Sequence, residues 1–365
     1  MKRREFVRTA ALAGVATGVA KAARPLSGAI RLPDEFDRSL ERDPREILDS
    51  TLVVDGYSGG PMSREYVERL RAGGINCKVG RGQNLFPDEF AAATSVRDIL
   101  RIHAEGKIGQ VHCTDAMWLG DDHLQPYGDP TPPLAEYRAE GLMIMGLSYN
   151  IANAYGAGCL EPQIPLSLAG RRLVEEAHKQ RILLDVGGHN GERTTLDAIT
   201  IAPGVPVCNT HGNVRRLNDN RRCNSDRILE AIASTGGVVG ITSFSDFMVR
   251  NPSNQHLPVT PQATMDQFID QFEYVRDLVG IEHVGLGTDN VCDGESRPCP
   301  PEGQNRLVMP SDVYGEQWTY VRGYESIADT PQFVAGLIAR SWSTADIRKV
   351  LGENWLRVYG EVWGG

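Results

Sequence analysis

Two segments carry the organisation of this chain: Ile182-Leu183-Leu184-Asp185-Val186-Gly187-Gly188-His189 and, shortly after, Val205-Pro206-Val207-Cys208-Asn209-Thr210-His211. Each is a short apolar run that stops at a histidine. Runs of this length, near-continuous in Val, Ile and Leu, fit strands buried on both faces, as in a parallel sheet. Six more flank them: Thr51–Gly56, Gly74–Val79, Ile108–Cys113 and Leu142–Leu147 before, Val238–Thr242 and His283–Gly287 after. Between the runs lie segments with helical spacing of apolar residues, namely Ser63–Ala72, Ser167–Gln180, Ser225–Ser234 and Thr264–Leu278. Each begins on a Ser or Thr able to cap a helix. Eight strand–helix alternations predict an α/β fold of the closed (β/α)8 TIM-barrel type. The rival is an open doubly wound sheet, which normally carries a G-x-G-x-x-G turn after its first strand. Here that turn reads Asp55-Gly56-Tyr57-Ser58-Gly59-Gly60, so the barrel is preferred. Additional C-terminal helices are expected at Ser343–Leu351 and Glu353–Tyr359, and a Pro-rich loop at Cys292–Pro310. With no linker-like stretch, residues 23–365 read as a single domain.

Composition narrows the function. The formal charge is −9, and residues 1–22 carry a net +4 (five basic groups against Glu5), leaving −13 on the rest. Such a chain is poorly suited to nucleic acid or an anionic membrane surface. It contains no run of about 18 apolar residues, so no stable membrane anchor is expected. Arg3-Arg4 before the mild apolar run Thr9–Ala20 reads as a Tat-type signal over residues 1–22, giving a periplasmic or otherwise exported protein. An oxidising compartment would permit disulfides. Cys292 with Cys299 and Cys208 with Cys223 are the candidate pairs among seven cysteines, beside a reading in which they are mostly buried free thiols.

In a barrel of this kind the chemistry gathers at the carboxyl ends of the strands. The strand ends here carry Tyr57-Ser58, His112-Cys113-Thr114, Ser148-Tyr149-Asn150, Gly187-Gly188-His189, Asn209-Thr210-His211 and Thr288-Asp289-Asn290. Three imidazoles, from His112, His189 and His211, with an open fourth position would make a tetrahedral Zn2+ site that still holds water. Asp289 is placed as the general base for that water. Arg221-Arg222 forms either a clamp on a substrate carboxylate or a solvated pair with Asp226. Tyr149 and Asn150 are candidates for substrate binding, or serve the loop backbone.

Taken with Asp185-Val186-Gly187-Gly188-His189, Pro206 to His211, Gly280 to Asp289 and the closing Gly352-Glu353-Asn354-Trp355-Leu356-Arg357-Val358, the chain resembles the membrane (renal-type) dipeptidase family, peptidase family M19. The resemblance implies a (β/α)8 barrel that binds two zinc ions and hydrolyses dipeptides. It implies that His189 and His211 are ligands of one zinc, that Asp289 handles the catalytic proton and that Arg222 holds the substrate carboxylate. It also allows a homodimer. The departures are as informative. The first-strand His-x-Asp of the family is Tyr57-Ser58-Gly59 here, the bridging glutamate of strand three is read as His112, and the substrate-contacting histidine of strand four is Tyr149. These losses lead to one zinc ion rather than two, held by His112, His189 and His211, with Tyr57, Tyr149, Asn150 and Arg222 around the substrate. The expected activity is metal-dependent hydrolysis of a dipeptide or related small amide. The alternative is a barrel that binds a small ligand without metal chemistry.

Overall fold

All eight apolar runs become strands of one parallel sheet. The computed structural model describes residues 43–60, 63–81, 86–119, 131–293 and 305–364, so the expected signal over residues 1–22 lies outside the described residues. In chain order the strands are β1 (Val53–Asp55), β2 (Ile75–Gly80), β3 (Phe90–Ala92), β4 (Ile108–Asp115), β5 (Leu142–Gly146), β6 (Leu183–Asp185), β7 (Cys208–Gly212), β8 (Val238–Ile241) and β9 (Val284–Leu286). The pairing order is β1-β2-β4-β5-β6-β7-β8-β9, every pair parallel, with β3 joined to β4 off this path. Between β9 and β1 the barrel is nearly closed. There the Gly56 N–H donates to the Leu286 carbonyl at 2.8 Å, and the Thr288 N–H and hydroxyl donate to the buried Asp55 carboxylate at 2.8 and 2.6 Å.

The helices start where their caps predict. Ser63, Ser167 and Ser225 accept from Tyr66, Gly170 and Ile228 at the heads of Arg64–Ala72, Leu168–Lys179 and Asp226–Ser234. Thr264 and Gln267 form a reciprocal capping box at the head of Met265–Val279. Two expectations shift. β7 begins at Cys208 rather than Val205, because Pro206 has no N–H to give a ladder. β3 was not expected; three residues are too few to show a period.

The C-terminal segment plugs the barrel. Thr344–Arg348 runs through a π-turn at Lys349–Glu353 into Asn354–Trp363. The Asn354 amide donates to the Ile281 and Val284 carbonyls at 2.7 and 2.8 Å, and the Trp355 indole N–H to Leu286 at 2.9 Å. Trp355 is fully buried, and a Cβ at Gly285 would come within 2.6 Å of its ring nitrogen. Cys292 is in a disulfide; Cys299, its expected partner, lies outside the described residues. Cys208 and Cys223 are both free thiols, which removes that pairing. No helix among the described residues is long and apolar enough to cross a membrane.

Candidate functional site

The ends of β6 and β7 bring two of the three expected imidazoles together. After β6 the chain turns on Gly187 and Gly188, both left-handed (φ 73° and 52°), a conformation that favours glycine. A Cβ at Gly188 would also lie 2.6 Å from the Arg222 guanidinium. This double turn delivers His189 so that its Nε2 faces His211 Nε2 at 3.0 Å. His211 is 5% exposed, on β7.

Neighbouring groups fix the tautomers. The Asn150 amide nitrogen donates to the Val308 carbonyl (2.9 Å) and the Tyr314 hydroxyl (2.7 Å), so its oxygen is the atom 2.7 Å from His189 Nδ1. His189 therefore carries its proton on Nδ1. The Thr210 hydroxyl donates to the Asp185 carboxylate and accepts from His211 Nδ1 at 2.8 Å. Both Nε2 atoms thus present lone pairs to each other, an arrangement that calls for a positive group beside them. Arg222 is that group: buried, it donates to His189 Nε2 at 3.0 Å and to the Tyr314 hydroxyl at 3.1 Å. Among the described residues its Nη1 has no hydrogen-bond acceptor. Burial first, then the charges of Arg222 and Arg81, hold both imidazoles well below the ordinary histidine range, so they are neutral.

Aromatic rings line the pair. Tyr57 stacks on His211 with centroids 4.3 Å apart, and Tyr149 on His189 at 4.1 Å. Asn150 acts through His189 as a positioning residue, and its own backbone is left-handed (φ 63°). Asp289 closes β9 in the same unusual conformation (φ 55°), its N–H donating to the Tyr57 carbonyl at 2.9 Å. Burial raises its pKa from 3.8 to about 7, against the lowering pull of Arg222 and Arg81. A backbone strain of this kind, coupled to a displaced pKa, is typical of functional positions.

His112 is not part of this group. Along β4 the side chains alternate, and a bulge against β5 falls between His112 and Cys113. His112 is exposed, whereas Cys113 and Asp115 are buried. The acidic residue at the inner end of this strand is therefore Asp115, and it is ion-paired with Arg81, which directly follows β2. The sequence reading missed both. Arg81 could have been found, since it stands directly beyond an apolar run; Asp115 was hidden because β4 extends two residues further than the run. The adjacent arginines also separate: Arg222 enters the site, while Arg221 pairs with Asp312 at the surface. Asp226 instead accepts from the Tyr274 hydroxyl at 3.0 Å.

Against a zinc site these residues fall short. His189 and His211 have the right tautomers and supporting hydrogen bonds, but a catalytic zinc takes three protein ligands. The third imidazole is absent, Asp115 is held by Arg81, and Arg222 already uses the His189 lone pair. Among the described residues no group of three or more His, Cys, Asp or Glu side chains is placed to hold a metal ion.

Comparison with known proteins agrees with the fold and the strand-end motifs. The profile of the membrane dipeptidases (peptidase family M19) matches residues 78–305. The chain is 26% identical over 285 residues to dipeptidase tcpJ of Claviceps purpurea, which covers 77% of this chain and 57% of that protein. It is 27% identical over 290 residues to dipeptidase aclJ of Aspergillus oryzae, covering 78% and 59%. The match thus spans little more than half the length of these curated relatives. An amidohydrolase crystal structure from Pseudomonas aeruginosa superposes with a TM-score of 0.72 at 25% identity, covering 88% of this chain and all of that one.

Proposed function

Because the chain belongs to the membrane dipeptidase family, peptidase family M19, we propose that its barrel mouth takes a dipeptide or related small amide and hydrolyses it. The observation that carries this reading is Arg222: a buried guanidinium among the strand ends, braced by His189 and Tyr314, with one nitrogen lacking an acceptor among the described residues. A substrate carboxylate supplies that acceptor in a charge-assisted bond. Asp289, held near 7 by burial, accepts the proton of the attacking water, for which a pKa near the working pH is suited. Tyr57 and Tyr149 wall the bound amide, and Asn150 keeps the His189 ring in place.

The family is typically metal-dependent. Of the expected zinc set, His189 and His211 stand together without a third ligand, so no resident ion enters this reading. That same shortfall favours the second reading, a barrel that binds the ligand without turning it over. Amine release from a dipeptide panel, followed by mass spectrometry in the presence of EDTA and again with added zinc, separates the two. Turnover lost in both Asp289→Asn and Arg222→Met supports hydrolysis. Saturable binding with no product under either condition leaves the binding reading. Residues 1–22 complete the proposal as a twin-arginine signal for export. Replacing Arg3-Arg4 by two lysines should keep the protein in the cytoplasmic fraction, and unchanged fractionation would refute that assignment.

A further inference from the structure

The ion pair between Arg81 and Asp115 has no role in the hydrolysis just described, yet it sits at the strand ends beside it. Asp115 belongs electrostatically to the same cluster: it acts on Asp185, which orients His211 through Thr210, and feels the charge of Arg222. It lies on the inner face of the strand expected to bring a metal ligand, but its charge is already matched by a guanidinium. Arg81 in turn acts on both imidazoles, on Tyr57 and on Asp289. Its guanidinium carbon lies 5.7 Å from the Tyr149 ring centre and 5.9 Å from that of Trp118, distances at which a cation is attracted by the ring face.

We propose that Arg81 and Arg222 together select small amides bearing two carboxylates, such as acidic dipeptides, without a metal. The proposal rests on the dipeptide reading above and adds a ligand class to it. Three observations converge. The lone pair that His189 would give a metal is accepting a hydrogen bond from Arg222. The Asp115 carboxylate is bound to Arg81. Among the described residues both guanidinium groups also keep donors to spare: Nη1 of Arg222 is unpartnered, and of the five N–H donors of Arg81 only those on Nη2 meet an acceptor, Asp115. Two fixed cations with unused donors repel a divalent ion and fit two separated anionic groups.

The test has two arms. In the first, the full chain is equilibrated with zinc, desalted and analysed for metal. It should carry no stoichiometric zinc. One zinc per chain, removed by His189→Ala, overturns the proposal. In the second arm, titration calorimetry in EDTA compares L-alanyl-L-glutamate with L-alanyl-L-alanine. The acidic dipeptide should bind at least about tenfold tighter, the size of one charge-assisted bond. Arg81→Ala should abolish that preference and Arg81→Lys retain most of it. A preference that survives Arg81→Ala refutes the role of Arg81. If neither dipeptide binds with or without zinc, the dipeptide reading fails, while the metal arm still decides whether the site takes an ion.

Discussion

Asp289→Asn separates the cost of this site to the fold from its use in chemistry. Burial moves the Asp289 carboxyl from 3.8 to about 7, so folding binds its proton more tightly than the unfolded chain does. For an acid raised in this direction, the stabilising contribution is complete below 3.8 and is lost as the pH climbs through about 7. At 1.36 kcal/mol per pH unit the ceiling is roughly 4 kcal/mol, of which about 3 kcal/mol falls between pH 5 and 8.5. Asparagine cannot ionise and tolerates the left-handed backbone that Asp289 adopts. The variant should therefore gain on the wild type by about 3 kcal/mol as the pH rises across that interval, while losing amide turnover. Urea denaturation of both proteins at a series of pH values measures it. Asp185, raised by burial to about 6, and Asp246, raised to about 7, tilt both curves alike, so the difference reports Asp289 together with its coupling to Asp55. Parallel curves, with no widening gap, would refute the claim that this carboxyl is held out of its ordinary range.

The other predictions concern single contacts. Trp355→Ala should cost about 3–5 kcal/mol of stability, read as a lower denaturation midpoint, because the indole fills the barrel end and bonds to Leu286; a loss below about 1 kcal/mol would mean the plug is dispensable. His112→Ala should leave ligand affinity and turnover within about twofold of the wild type, since its ring is exposed and apart from the site; a large loss would restore it as a ligand. Asn150→Ala should free the His189 ring and weaken dipeptide binding about tenfold, with Asn150→Asp retaining more than the alanine variant. Equal losses in both would show that Asn150 does more than orient the ring.

Much of the architecture is legible along the chain because burial on both faces of a parallel strand leaves a local mark, a short run of Val, Ile and Leu. All eight runs are strands, and the helix starts follow from Ser and Thr caps that act within three residues. The same locality makes His189, His211, Asp289 and Arg222 visible, since each sits at or near a strand end. What failed is the face of a residue within a strand. His112 and Asp115 are three apart on β4, on opposite sides of an alternating and bulged segment. One position of register therefore exchanges an imidazole for a carboxylate. Sequence alone determined the barrel, its family and the rim from which chemistry can come. Only the tertiary structure decided which charges meet there. The partner of Asp115 is Arg81, thirty-four residues earlier on another strand end, and the partner of the His189 lone pair is Arg222, thirty-three residues later. No local pattern encodes a contact made by closing a sheet into a ring.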